Sequence, residues 1–219
     1  MPGNNYFGCM GVILKKDLSE RCRLGFWEIT EDYDDLRSRL TLESEEVQKL
    51  EGFKSFNRRL EWMSVRALTN DLTGMNSRII YNEARKPFLL DNSYNISISH
   101  SNKLTSILIG RYMRVGIDTE YMSHRIARIA NRFIHEQEVI TPEPDLVKYH
   151  LYIHWCAKEA LFKICDKQYI NFRKNLRIDP FIPADKGEIT GTVNNINGID
   201  SYRLNYMRMD DYITVWCYK

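Results

Sequence analysis

Two short stretches of this chain carry charged side chains at spacings that could do chemistry, and the first suits a cation. In Val115-Gly-Ile-Asp-Thr-Glu120, residues two apart on a strand project to one face. Asp118 and Glu120 would then stand side by side while Ile117 turns away. Adjacent carboxylates repel unless neutralised, and a hard divalent ion such as Mg²⁺ neutralises them using protein carboxylates, water and substrate phosphate oxygens. A solvated strand end is the competing reading of this hexapeptide. In Trp155-Cys-Ala-Lys-Glu-Ala-Leu-Phe-Lys163, helical spacing of four gathers Trp155, Glu159 and Lys163 on one face. A Glu–Lys pair of this kind is commonly surface decoration, but the apolar neighbours here favour a cleft.

A third stretch, Ile96-Ser-Ile-Ser-His-Ser101, alternates as a half-buried strand does. It sets Ser97 and Ser99 on one face and His100 at the expected strand end. Hydroxyls and an imidazolium suit phosphate oxygens. Upstream, Arg85-Lys86-Pro87 adds two cations on a stiff backbone. His150 and His154 have the four-residue spacing of a helical zinc pair, without the metalloprotease Glu or a third ligand. Glycine-rich phosphate loops of the Walker or Rossmann kind are absent.

Those groups must be positioned by a chain of 219 residues, 43% hydrophobic and 27% charged, which is one compact body or two small halves and not a disordered or fibrous chain. A formal charge of +2 gives no broad cationic field for a polyanionic duplex, so nucleic acid is not expected as a partner. Neither a membrane span nor a signal peptide is apparent, and the expected location is the cytoplasm. The five cysteines are scattered and never spaced Cys-x-x-Cys, so they are expected to be buried thiols.

Strands are expected over Tyr6–Leu14 and Leu24–Ile29. A helical region capped at Thr41-Leu-Glu-Ser should run to about Asn70, with Gly52 as a break and Asp71-Leu-Thr-Gly as its stop. Further strands are expected at Ile79–Tyr81, Asn95–Ser99, Leu104–Ile109 and Arg114–Glu120. Helices should follow at His124–Phe133, capped by Ser123, and Leu146–Cys165. Strands Asp185–Val193, Ser201–Arg208 and Tyr212–Tyr218 close the chain, with an Asn197-Gly198 turn. Trp62-Met-Ser-Val-Arg-Ala-Leu68 echoes Trp155-Cys-Ala-Lys-Glu-Ala-Leu161, and the order of elements repeats with it. The expected fold is therefore α+β: two similar subdomains related by pseudo-twofold symmetry, each a small antiparallel sheet packed with helices. They would span residues 1–112 and 113–219, with the site in the cleft between them.

Taken in order, these segments resemble the 4'-phosphopantetheinyl transferase superfamily, in particular its single-chain Sfp-type enzymes. The Gly116-Ile-Asp-Thr-Glu120 strand followed by Trp155-Cys-Ala-Lys-Glu-Ala-Leu-Phe-Lys163 matches the paired hallmark. Asn95-Ile-Ser-Ile-Ser-His-Ser101 resembles the Asn-hydrophobic-Ser-His-Ser segment, and Lys86-Pro87 resembles Gly-Lys-Pro. The resemblance implies transfer of the phosphopantetheine arm of coenzyme A to a serine of an apo acyl or peptidyl carrier protein, with release of 3',5'-ADP. It implies Asp118, Glu120 and Glu159 as Mg²⁺ ligands, and Lys163 and His100 as pyrophosphate contacts. Lys86 and Ser99 become coenzyme A contacts, Lys158 a lysine near the phosphates, and Arg58 or Arg59 the arginine at the adenosine end. Arg85 replaces the usual glycine before Lys-Pro, and Thr119 a more common apolar residue. Lys49 and Lys54 are candidates for the 3'-phosphate.

The reaction fits the parts. Attack of the serine hydroxyl on the β-phosphorus builds charge that a metal, Lys163 and His100 can stabilise, with Glu159 as general base. Arg125, Arg128 and Arg132 would form a basic stripe for an acidic carrier, or a plain solvated face. The two halves complete one site, so a monomer is expected. A Mg²⁺-dependent nuclease is disfavoured because Glu159 and Lys163 lie on a helix and not in a strand Glu-x-Lys. A catalytically silent coenzyme A or carrier-protein binding homologue is the main alternative, against which the retained carboxylates argue.

Overall fold

The computed structural model describes residues 11–123, 125–165, 170–196 and 198–219. Cys9, His124, Asn197 and the start of the expected first strand lie outside the described residues.

The first half opens with a hairpin, β1 (Val12–Ser19) and β2 (Cys22–Glu28). Three helices follow: α1 (Tyr33–Ser38), α2 (Ser44–Glu51) and α3 (Phe56–Thr73). Then come a short hairpin of β3 (Ile79–Tyr81) and β4 (Pro87–Leu89), and a longer one of β5 (Asn95–Ser101) and β6 (Leu104–Gly110). The second half runs from β7 (Val115–Tyr121) through a 3-10 turn (Ile126–Ile129), α4 (Ala130–Phe133), α5 (Pro144–Ile164) and α6 (Phe172–Asn175). It ends with β8 (Leu176–Ile178), β9 (Lys186–Asn195), β10 (Gly198–Met209) and β11 (Tyr212–Tyr218).

Both main sheets are antiparallel, a four-stranded one ordered β1-β2-β6-β5 and a five-stranded one ordered β7-β11-β10-β9-β8. The α+β expectation holds, and so does the repeated connectivity. In each half a strand leads into a long helix and then a hairpin whose last strand returns beside the first, giving β2-β6-β5 and β7-β11-β10.

Three apolar clusters hold these layers. Trp62, Met63, Leu68 and Leu72 of α3 pack on Trp27, Ile107 and Ile109 of the first sheet. Cys22, Leu24, Phe26 and Leu108 meet Val115, Ile117 and Trp216 between the sheets. Ile153, Ala157, Ala160 and Leu161 of α5 pack on Ile189, Leu204, Ile213 and Val215. The second sheet is therefore covered on both faces, which is why five consecutive residues of β7, Val115–Thr119, are buried without alternation. Thr119 faces the first sheet, and its hydroxyl is satisfied by Ser106 Oγ of that sheet (2.6 Å) and by Thr214 Oγ1 of the neighbouring strand β11 (2.8 Å).

Several local expectations change. The cap of α2 is Glu43, not Thr41; its backbone N–H donates to the Glu46 carboxylate at 3.4 Å. Helix α3 has its own N-cap, Ser55, and ends on Gly74 at φ 74°, the left-handed turn that favours glycine. β5 continues to Ser101, so His100 lies within the strand. The region after Ser123 is a 3-10 turn and one turn of α-helix, so Arg125, Arg128 and Arg132 are exposed but share no single helix. Cys22, Cys156 and Cys217 are buried as expected, whereas Cys165 is only partly so. Among the described residues, no helix is long and apolar enough to cross a membrane.

Candidate active site

β5 and β7 are edge strands of different sheets and share no backbone ladder. Serine side chains join them instead. Ser97 Oγ accepts from Ile117 N–H at 3.0 Å, Ser99 Oγ donates to Asp118 Oδ1 at 2.9 Å, and Ser101 Oγ donates to Glu120 Oε2 at 2.9 Å. Ser101 Oγ also accepts from Tyr121 N–H at 3.0 Å. The period of two on each strand makes this possible: serines at 97, 99 and 101 run in parallel with the polar positions of β7. Two edges that would otherwise leave unpaired backbone groups are closed in this way.

α5 covers the other side of the two carboxylates. The helix lies close because Gly116 has no side chain: a Cβ there would come within 2.2 Å of Ala160 O. Lys163 Nζ donates to Asp118 Oδ1 (2.7 Å), Ile117 O (2.8 Å) and Ile98 O (3.3 Å), so all three ammonium hydrogens tie α5 to β7 and β5. Two turns earlier, Trp155 Nε1 donates to Glu120 Oε1 at 3.4 Å. The helical face expected from the sequence thus meets the strand face expected from the sequence, with the partly buried Glu159 between its two anchors.

Asp118 is 4% exposed, and its Oδ2 has no hydrogen-bond partner. An anionic oxygen left so is costly unless a cation or donor completes it. Burial, then the neighbouring Asp118 charge, pushes the Glu120 carboxyl above its usual range. Among the described residues, no three His, Cys, Asp or Glu side chains are gathered as a ready metal cluster; β7 brings two of the expected carboxylates together.

Ser99 and Lys163 also wall a cavity of about 270 Å³, lined further by Arg58, Glu61, Trp62, Arg66, Tyr81, Arg85 and His100. Arg58 Nη1 donates to His100 Nε2 at 2.7 Å. An arginine can only donate, so that nitrogen is an acceptor and the ring is neutral. Burial, together with Arg58 and Lys163, holds the His100 imidazole below its usual pKa despite the opposing pull of Glu61. The imidazolium expected from the sequence is thus a neutral ring here.

The two candidate arginines are placed differently. Arg58 faces the cavity, whereas Arg59 turns back to the carbonyls of Phe53 (2.9 Å) and Glu51 (3.0 Å), bracing the turn before α3. Lys158 requires a correction. It is fully buried, and its ammonium donates to Glu138 Oε2 (2.7 Å), Phe133 O (2.5 Å) and Phe172 O (3.3 Å), so it anchors the loops behind α5 and does not reach the cavity. Lys86 is half-buried in the β3–β4 turn, and its neighbour Arg85 lines the cavity. Arg85 stands at φ 59°, the left-handed conformation for which the glycine usual at this position is suited. Lys49 lies over the ring of Tyr81, 5.1 Å from its centroid.

His150 meets the Phe181 ring edge-on and His154 stacks on it, with ring centroids 4.5 and 5.4 Å away. Thr141 N–H donates to His150 Nδ1 at 3.1 Å, which leaves the ring hydrogen on Nε2 and no lone pair there for zinc.

Sequence reasoning missed four residues. Glu61 was signalled only by standing three residues after Arg58. Arg66 lies 3.2 Å from the Trp62 ring centroid and 3.0 Å from Glu46, and it gave no local signal. Ser101 was visible as the third serine of a period-two run. Glu138, the buried partner of Lys158, is twenty residues away and could not be paired by spacing.

No curated protein matches the chain. Residues 114–217 match the family model of the 4'-phosphopantetheinyl transferase superfamily, a stretch that contains β7, α5 and the second sheet. That stretch, a little under half of the chain, is therefore similar to the 4'-phosphopantetheinyl transferase superfamily.

Proposed function

We propose that this chain is a Mg²⁺-dependent holo-carrier-protein synthase, moving the phosphopantetheine arm of coenzyme A to a serine of an apo acyl or peptidyl carrier protein. The observation that carries this reading is the shared wall. Ser99 and Lys163 line a cavity rich in arginine and also bond Asp118, whose second oxygen is buried and unpartnered. A phosphate-bearing ligand in the cavity would therefore lie against Ser99 and Lys163, the two side chains that hold Asp118. On this reading the chain forms two subdomains, 1–112 and 113–219, with the site at their junction. A single copy supplies both sides, so the enzyme acts as a monomer.

The carboxylates suit a hard cation: oxygen donors, two on one strand face, one oxygen of Asp118 lacking any partner. Asp118, Glu120 and Glu159 would hold Mg²⁺, which when bound supplies positive charge for the phosphate oxygens. The remaining chemistry belongs to the chain's own residues. The carrier serine oxygen bonds to the β-phosphorus as the bond from that phosphorus to the bridging oxygen breaks, and 3',5'-ADP departs with the electron pair. Glu159 accepts the serine proton. Arg58, Arg85 and His100 hold the nucleotide part, while Ser99, Ser101 and Trp155 keep Asp118 and Glu120 oriented. Lys163 offsets the charge of Asp118 and stands at the cavity wall for the phosphates.

The test is intact mass spectrometry of apo carrier proteins incubated with the chain, coenzyme A and Mg²⁺. A gain of one phosphopantetheine, lost with EDTA and in Glu159→Gln, is the expected result. Coenzyme A binding without any gain across fatty-acid, polyketide and peptide carriers would sink catalysis and leave a binding protein.

A further inference from the structure

Arg58, Arg66, Arg85 and Lys163 all line the cavity, yet the carboxylates that balance them are not all placed alike. Arg66 is held by Glu46 at 3.0 Å, and Lys163 by Asp118 at 2.7 Å, and neither carboxylate is part of the cavity wall. Glu61 differs. It accepts from Arg58 Nη1 at 3.0 Å, its Oε2 lies 3.9 Å from His100 Nε2, and it lines the cavity itself. It also lines a neighbouring cavity of about 260 Å³ between α3, the end of β2 and the β5–β6 turn. Spacing of three on α3 puts Glu61 and Arg58 on one face, so the pair forms with little rearrangement of the helix.

A carboxylate in this place does what a ligand phosphate would do: it takes the guanidinium and stands near the imidazole. We propose that Glu61 is a built-in competitor for ligand phosphate, determining how tightly the site holds its nucleotide. This rests on the coenzyme A reading of the cavity. A phosphate that engages Arg58 must either displace Glu61 or sit within a few ångströms of it. Either way the anion gains less than it would from an uncontested arginine. The consequence is weaker retention of 3',5'-ADP, the anionic product that must leave before each new turnover.

The Glu61→Gln variant keeps the size of the side chain and removes its charge. Calorimetry is the readout, with coenzyme A, 3',5'-ADP and 3'-dephospho-coenzyme A as probes. The expected result is roughly ten-fold tighter binding of coenzyme A and 3',5'-ADP, a moderate contest between partly exposed charges. Dephospho-coenzyme A separates the two phosphate sources. Unchanged affinity for it assigns the contested phosphate to the 3' position, and equal tightening assigns it to the pyrophosphate; either supports the competitor role. The effect must also vanish when Glu61→Gln is made in an Arg58→Gln background, which a mere packing role for Glu61 would not require. In steady state the KM for coenzyme A should fall while kcat does not rise. Wild-type binding with unchanged or weaker affinity in Glu61→Gln overturns the inference alone. Absence of any binding by the wild type overturns the coenzyme A reading and this inference with it.

Discussion

In the first half of the molecule β2 runs beneath α3 with Gly25 at the crossing; in the second, β7 runs beneath α5 with Gly116 there. Aligning the glycines sets Trp27 against Asp118 and Ile29 against Glu120. Aligning Trp62 with Trp155 sets Arg66 against Glu159 and Val65 against Lys158. The first half closes its helix–strand interface with an indole and an isoleucine, both buried, and puts a cation where the second half puts a carboxylate. The second half fills the same interface with carboxylates that Lys163, Trp155 and two serines, Ser99 and Ser101, hold in place. One architecture therefore carries two charge patterns, one suited to an anion and one to a cation. A phosphate that must be bound and also transferred needs both, and the cavity wall shared by Arg58, Ser99 and Lys163 is where they meet.

Removing the charge that distinguishes the halves should have the largest effect. Asp118→Asn leaves the shape of β7 intact but takes away one of its two carboxylates. Carrier modification should fall by about three orders of magnitude, the scale expected for a group that supports charge stabilisation at the reacting phosphate. Retained circular dichroism would assign the loss to chemistry, and near-normal turnover would place the active centre elsewhere.

The two glycines come next. A Cβ at Gly116 meets the backbone oxygen of Ala160 at 2.2 Å, whereas one at Gly25 meets the methyl end of Leu68 at 2.9 Å. A leucine methyl can rotate and a helix carbonyl cannot. Gly116→Ala should therefore cost about 3 kcal/mol or more, and Gly25→Ala about 1 kcal/mol, the low end of the usual overpacking range. Denaturant titration of both variants decides it; equal losses would mean that the helices are not seated differently.

The rear face of α5 sharpens the comparison through pH. Where α3 has Val65, α5 buries Lys158 beside Glu138 and His154, with His150 a turn earlier. Burial, and then His154, pushes the His150 imidazole down to about 4. The unfolded chain takes up this proton near the ordinary histidine pKa, so it binds more protons than the folded chain between about pH 4 and 6.5. Stability is thus full at neutral pH and declines as pH falls through that window, by about 3 kcal/mol at its lower end. His150→Asn, whose amide oxygen can still accept from Thr141 N–H, should flatten that decline in melts between pH 7 and 4.5. An unchanged slope would assign the acid sensitivity to other groups.

These contrasts also show what the sequence could reveal. Asp118 and Glu120 were legible because a strand's period is fixed. Trp155 and Lys163 were legible because a helix's is, and the two faces do meet. Lys158 was misread because it belongs to the same motif, although one residue rotates a helix by about 100° and carries it off that face. What could not be read is contact between distant edges: β5 against β7, Glu138 under Lys158, Glu46 on Arg66. No local pattern encodes those meetings. Arg85 is an intermediate case, since its departure from the expected glycine was visible but its retention of the left-handed backbone was not.

The smallest expected effect tests which cations of the first half serve the ligand. Arg58 and Arg59 are adjacent and chemically identical, yet one points to the cavity and the other to backbone carbonyls. Arg58→Ala should raise the KM for coenzyme A about ten-fold, equivalent to about 1.4 kcal/mol, with the melting temperature nearly unchanged. It is partly exposed, so its loss leaves no buried group unpaired. Arg59→Ala should do the reverse, lowering the melting temperature by a few degrees through the lost brace on the Glu51 and Phe53 carbonyls while leaving KM alone. If both variants shift KM alike, the division of labour between neighbouring arginines is wrong, and the anion-holding pattern of the first half extends beyond the cavity wall.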